Sequence, residues 1–335
     1  MTAQSDWNFL TSVAENYERN LVPIIFAPWA DELVETACLR QGDRVLDVAC
    51  GTGIVARIAA RKLGGTGSIT GLDVSAPMIM VARATVLTEG VAVEWREASA
   101  VELPFPEATF DVVLCQSGLQ FFPDRPASLR EMHRVLEPAG GRLILSVWGP
   151  IERSRGFAVA ADALGRHIGP EAAGPITSGA FGLSDADELR ALVSDANFKN
   201  ITVRASVKSL RYPSPDEFIL RHLTGSPLGS AVGEAGESAR TALLAEINAG
   251  WRPMLTRVAW RSRSRPTSSS LIPDPALKGS RGASKPGTRR FFSPLEPSWP
   301  DLFRSSPGMT TLDCPGSLER ATALLSPKSP ALSRE

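Results

Sequence analysis

The chain has 335 residues, and its 36 Lys plus Arg balance 36 Asp plus Glu, so it lacks the basic excess of a nucleic-acid binder. Its four cysteines, Cys38, Cys50, Cys115 and Cys314, show no C-x-x-C spacing, which argues against a zinc site or a disulfide framework and leaves no metal site to expect. The polar start carries no secretory layout, and no apolar run approaches the ~18 residues of a membrane span, so a soluble, cytoplasmic protein is expected.

Taken in order, Val13 to Leu39 reads as an amphipathic helix interrupted near Pro23 and Pro28. Arg44 to Val48 is a short apolar run ending at glycines, as in a buried parallel strand. Ile54 to Leu63 follows as a helix stopped by Gly64-Gly65, then Ser68 to Asp73 as a strand and Pro77 to Glu89 as a helix. Val91 to Trp95, Phe110 to Cys115 and Arg142 to Val147 read as strands, with a helix over Pro126 to Leu136 before the last. Such alternation predicts an α/β fold, a doubly wound and mostly parallel sheet with ligands at the strands' C-terminal edge. Beyond Pro150 the pattern loosens. Helices are expected over Glu188 to Ala196, Pro215 to Leu223 and Arg240 to Ala249, a strand over Ile201 to Val207, and a glycine-rich loop from Gly225 to Gly236.

The chemistry sits in Val45-Leu46-Asp47-Val48-Ala49-Cys50-Gly51-Thr52-Gly53. A strand runs into a tight turn whose glycines let backbone approach a ligand. Asp73 closes the next strand, where a carboxylate can accept hydrogen bonds from ribose hydroxyls. Gly51-x-Gly53-x-x-Ala56 also fits a dinucleotide fingerprint, so an NAD-dependent oxidoreductase is the rival reading. Asp47 weighs against it: a carboxylate at the mouth of the turn repels a pyrophosphate and attracts an ammonium.

On these residues, with Gly71-Leu72-Asp73, Leu103-Pro104-Phe105-Pro106, Phe110-Asp111-Val112-Val113 and Arg134 to Gly141, the chain resembles the class I S-adenosylmethionine-dependent methyltransferases. The group is that of the ubiquinone/menaquinone-biosynthesis methyltransferases, and the resemblance runs from about Ala14 to Pro253. It implies S-adenosyl-L-methionine as cofactor and a small-molecule acceptor with a C, O or N nucleophile. It also implies that Asp47, Ala49, Gly51, Thr52 and Gly53 receive the methionine part, that Asp73 holds the ribose, and that Val74 and Met78 flank adenine. Ser99-Ala100 stands where many relatives have an aspartate before alanine. Pro138-Ala139-Gly140-Gly141 is one residue longer than the usual Pro-Gly-Gly. Tyr17 matches a tyrosine that closes over the cofactor. Gln116 and Gln120, after the fourth strand, are placed beside the reacting methyl and are candidates to orient the acceptor.

Methyl transfer from a sulfonium is an in-line displacement in which alignment does much of the work, and a base is needed only if the acceptor must lose a proton early. Of the three histidines, His222 lies where relatives cover the acceptor and is the candidate base, whereas His133 reads as part of a solvated helix face. Asp111, starting a strand, reads as structural.

Residues 256–335 differ from the rest. They hold 15 Ser, 11 Pro and 13 Lys plus Arg against 6 Asp plus Glu, with one Ile and one Val, a composition expected to stay disordered. The strand that completes the sheet in relatives is not legible, so it is expected to be missing. Read one nucleotide out of frame, with synonymous codons free to choose, residues 256–272 can be decoded as an apolar, β-rich string, and the hypothesis this raises is that the tail is a frameshift product, natural or from a sequencing error. A folded but catalytically impaired member is therefore a third reading. The expected organisation is a helical cap (1–42), a cofactor-binding core (43–150), a substrate-side part of the same domain (151–255) and the tail (256–335). Oligomeric state is not legible.

Overall fold

The computed structural model describes residues 12–87, 89–208, 210, 214–226, 228–260 and 308–311. The chain divides into two units, Met1–Trp251 with Arg304–Glu335, and Arg252–Phe303; of the second, residues 252–260 are described, as helix.

In the first unit the strands are β1 (Arg44–Val48), β2 (Ser68–Asp73), β3 (Val93–Glu97), β4 (Val112–Gln116), β5 (Arg142–Trp148), β6 (Arg204–Val207) and β7 (Gly308–Thr311). They form one sheet in the order β3-β2-β1-β4-β5-β7-β6. The first five pair in parallel, and β7 lies antiparallel between β5 and β6. The main helices are α1 (Ala27–Thr36), α2 (Ile54–Leu63), α3 (Ala76–Ala84), α4 (Arg125–Val135), α5 (Arg155–His167), α6 (Pro170–Gly174), α7 (Ala186–Asp195), α8 (Pro215–Thr224), α9 (Leu228–Glu234) and α10 (Glu237–Trp260). None of the described helices is long and apolar enough to cross a membrane.

The two-residue period of a strand explains why the sheet is covered on both faces. Val45, Val112, Leu114 and Ile144 pack with Leu33 of α1 and Val55 and Ala59 of α2. Their neighbours Leu46, Val113, Leu143 and Leu145 pack on the other face with Leu129 and Met132 of α4 and Leu189 of α7. Each of the Val, Leu, Ile and Met side chains contributes about 1.5–3 kcal/mol on full burial. A third cluster joins Leu21, Trp29 and Trp148 to Leu164, Phe218 and Ile247 beside the sheet. Asp111 has the structural role expected of it: its carboxylate takes two hydrogen bonds from the Arg44 guanidinium, at 2.9 and 3.0 Å, and one from the Arg44 backbone N–H at 2.8 Å.

Three expectations are corrected. The helix from Pro77 ends at Ala84 rather than Glu89, because Thr85 turns to an extended conformation. The loop expected at Gly225 to Gly236 contains α9, where Leu228 and Val232, one turn apart, both bury. That apolar pair outweighs the helix penalty of the intervening Gly229, about 1 kcal/mol. Finally, the completing strand is present. Gly308–Thr311 pairs with Ser146–Trp148 on one side and Arg204–Val207 on the other, so neither neighbour keeps an open ladder there. A four-residue strand flanked by two partners needs little apolar character of its own, which is why composition concealed it. The described parts of the supposedly disordered tail are thus helical to Trp260 and extended at β7. The rest of the tail, including most of the segment read as frameshifted, lies outside the described residues.

Candidate functional site: the cofactor turn and the ends of β1, β2 and β4

After β1 the backbone enters the left-handed region three times, at Ala49 (φ 57°), Gly51 (φ 55°) and Gly53 (φ 89°), before α2 begins. Glycine is obligatory at Gly53 for a second reason: a Cβ there would stand 2.2 Å from Cη2 of Trp95. The same indole lies 2.4 Å from where a Cβ on Gly71 would be, and Gly71 is the register partner of both Asp47 and Trp95. Trp95 therefore fills the space that two missing side chains leave beneath the turn.

Asp47 is 1% exposed. Its Oδ2 accepts the Ala56 N–H at 3.0 Å, while Oδ1 has no hydrogen-bond partner among the described residues. Burial pushes its pKa up to about 8. At the end of β2, Asp73 accepts the N–H of Gly51 at 2.8 Å and of Ser75 at 2.9 Å, and burial raises its pKa too. Val74 beyond it is 73% exposed, and Met78 is half-buried in the first turn of α3. The Ala98 N–H donates to the Asp73 carbonyl at 3.0 Å, which brings Ser99 and Ala100 to the same edge. Ser99 Oγ accepts the Val101 N–H at 3.3 Å.

Over the turn lies the segment Tyr17–Phe26, wound as a π-helix through Pro23. The Tyr17 ring is 3.9 Å from where a Cβ on Gly51 would stand and packs on Phe26 with ring centres 5.0 Å apart. Burial, then the nearby charges of Asp73 and Glu18, hold its phenol well above the usual range. Next to it, Glu18 binds Arg57 of α2 at 2.7 Å and accepts the Thr52 hydroxyl, while Arg57 also donates to the Thr52 carbonyl. Sequence reasoning named Tyr17 and Thr52 but missed Glu18 and Arg57. A signal existed: Arg57 falls among the buried positions of α2, and an arginine there needs an acidic partner.

A second group of polar atoms gathers at the ends of β4 and β5. Gln116 Nε2 donates to the Phe26 carbonyl at 2.9 Å. Gln116 Oε1, Ser117 Oγ, Ser146 Oγ and both amide atoms of Gln120 are buried without hydrogen-bond partners among the described residues. This group adjoins the glycine turn, since a Cβ on Gly118 would be 2.6 Å from Cβ of Ala49. Burial also pushes the Cys115 thiol up to about 12.

His222 is elsewhere. It lines a small apolar pocket with Phe157, Leu164, Ile219 and Leu243, and neither glutamine contributes to that wall. Its Nδ1 is 2.8 Å from the Phe218 carbonyl, and burial lowers its pKa to about 4. Tilted and edge-to-face ring contacts connect this pocket to the turn: Tyr17 to Phe26, Phe26 to Trp148 at 6.5 Å, Trp148 to Phe157 at 6.4 Å, and Phe157 to His222 at 5.0 Å. His133 is not on a solvated face as expected. It is half-buried, with its ring 5.1 Å from that of Phe198, because Phe198 packs against that side of α4.

A glycine turn guarded by a buried carboxylate, on a sheet of this strand order, defines the class I S-adenosylmethionine-dependent methyltransferases. The sequence model of the family described as "Methyltransferase domain" matches residues 45–140, the part of the chain that carries the turn. The chain is 35% identical over 152 residues to the ubiquinone/menaquinone biosynthesis C-methyltransferase UbiE of Neisseria meningitidis, a stretch covering 44% of this chain and 62% of that protein. It is 36% identical over 124 residues to the 2-phytyl-1,4-naphtoquinone methyltransferase of Synechococcus elongatus, over 36% of this chain and 53% of that one. The chain thus spans somewhat under two thirds of the length of these relatives. A solved structure from Anabaena variabilis, named for a methyltransferase of an antibiotic biosynthesis pathway, has the same fold, with a TM-score of 0.51 at 17% identity over 71% of this chain and 92% of that one.

The residues present fit S-adenosylmethionine as cofactor. Asp47 offers a buried carboxylate oxygen without a partner to a cationic group, and Gly51 leaves the backbone bare beneath Tyr17. An NAD-linked reading is not favoured, since that carboxylate would face a pyrophosphate.

Proposed function

We propose that the chain transfers the methyl group of S-adenosylmethionine to a small-molecule acceptor. The observation that carries this reading is the unpartnered Oδ1 of Asp47 at the mouth of the glycine turn. Bound S-adenosylmethionine supplies an electrophilic methyl on a sulfonium sulfur. Asp47 receives the methionine ammonium and Asp73 the ribose hydroxyls, while Val74 and Met78 flank adenine with Ser99-Ala100 at its rim. Gln116 and Gln120 offer neutral amide groups to orient the acceptor, in line with the catalytic need for alignment. His222 is the candidate base if the acceptor must lose a proton.

The acceptor class we favour is a quinone-like ring, supported by the names of the two relatives and by the run of aromatic ring contacts between turn and pocket. The cytoplasm is the proposed compartment, supported by the free thiols of Cys38, Cys50 and Cys115. The division into cap, core and substrate-side part at residues 42 and 150 is proposed on the same footing. Isothermal titration with S-adenosylhomocysteine and with NAD tests the function. Binding of the former, lost in Asp47→Ala, is expected; binding of NAD instead would overturn the proposal.

A further inference from the structure

The clasp around Thr52 has no part in the reading above, and its geometry is more specific than surface ion pairing. Arg57 has a side chain only 7% exposed and Glu18 one 23% exposed, so the pair is largely out of water. Thr52, between the two left-handed glycines, is held at both ends: its hydroxyl donates to Glu18 and its carbonyl accepts from Arg57. The Glu18 backbone is continuous with Tyr17, whose ring covers Gly51. A π-helical register is uncommon and often marks functional places, and here it presents Tyr17 and Glu18 to the turn as neighbours.

We propose that Glu18 is the positioning residue of the cofactor turn, gripping Thr52 together with Arg57 so that the turn keeps its left-handed shape and Tyr17 is seated across it. Glu18 touches no reacting atom. It acts through Thr52 and Tyr17, so docking of segment 17–26 and capture of the nucleoside ligand favour each other. This rests on the cofactor reading for its consequence, but the clasp itself is measurable without ligand.

The experiment is amide hydrogen exchange on the ligand-free full chain, paired with titration of S-adenosylhomocysteine, for wild type, Glu18→Ala, Glu18→Gln, Tyr17→Ala and the Tyr17→Ala/Glu18→Ala double variant. Glu18→Ala is expected to speed exchange at residues 50–57 and 17–26 while β4 and β5 stay protected, and to weaken binding about tenfold or more. Glu18→Gln, still able to accept the Thr52 hydroxyl, should fall between, and it carries the comparison if the alanine variant does not fold. In the double variant the two losses should be less than additive. Unchanged exchange at the turn, or acceleration spread equally over β4 and β5, overturns the clasp, and full additivity overturns the seating of Tyr17. If wild type binds no S-adenosylhomocysteine, the function proposed above fails while the exchange data still decide the clasp.

Discussion

Asp47 holds its proton in the folded chain up to about pH 8 but in the unfolded chain only to about 3.8. A raised carboxyl pKa means the native state binds more protons, so this contribution to stability is complete at low pH and is lost as pH rises through about 8. Asp47→Asn should therefore flatten the fall in melting temperature between about pH 5 and about pH 8, read by thermal denaturation. Capture of a cationic ligand needs the ionised carboxylate, so the affinity for S-adenosylhomocysteine should rise about tenfold per pH unit toward pH 8 and then level off. A pH-independent affinity would contradict the role given to Asp47. Gln120 sets up a different trade. Its amide is buried, 4% exposed, without partners among the described residues, a desolvation cost of about 1–3 kcal/mol. Gln120→Leu should stabilise the ligand-free protein by about that amount while lowering kcat with a quinone-like acceptor. A variant that is neither more stable nor less active would show that the amide does no such task. For His222, a pKa near 4 keeps the imidazole neutral across ordinary assay conditions. If it is the base, the profile of kcat at saturating cofactor should be flat above about pH 5 and fall on the acid side only, a limb absent from His222→Gln.

At the scale of elements, the pairing of β2 with β3 rests on an interlock: Gly71 is empty so that Trp95 can occupy its place. Gly71→Ala should destabilise the fold by about 1–3 kcal/mol through overpacking, and Trp95→Leu in the same chain should recover most of it, measured by denaturant unfolding. Failure of the second change to rescue would mean the strain lies in the backbone. The parallel strands were legible because burial on both faces leaves short apolar runs ending in glycine or a carboxylate, as at Arg44–Val48 and Ser68–Asp73. Asp47, Gly51, Gly53 and Asp73 were legible for the same reason, since strand ends and turns carry a local residue pattern. Glu18 and Arg57 were not read because they are 39 positions apart and meet only through tertiary packing. His133 was misread because helical position alone does not reveal Phe198, which arrives from beyond α7. The helices of the substrate-side part were read unevenly: α5 was not read, and α9 is short and glycine-rich.

For the molecule as a whole, the sheet joins segments far apart in the chain. Val147 and Thr310 are direct partners although 163 residues separate them. Thr310→Pro should remove a ladder donor from an inner strand and lower the melting temperature by several degrees, whereas loss of β7 without any change in stability would argue against its place in the sheet. The antiparallel insertion also fixes an order of events. A growing polypeptide can lay down β1 to β6 and still leave a slot one strand wide beside β5, which stays unfilled while some hundred further residues are made. Throughout that interval two bare backbone edges face any neighbouring chain, so yields should depend on synthesis rate and on helpers that shield unfinished proteins, more than the finished protein's own stability would suggest.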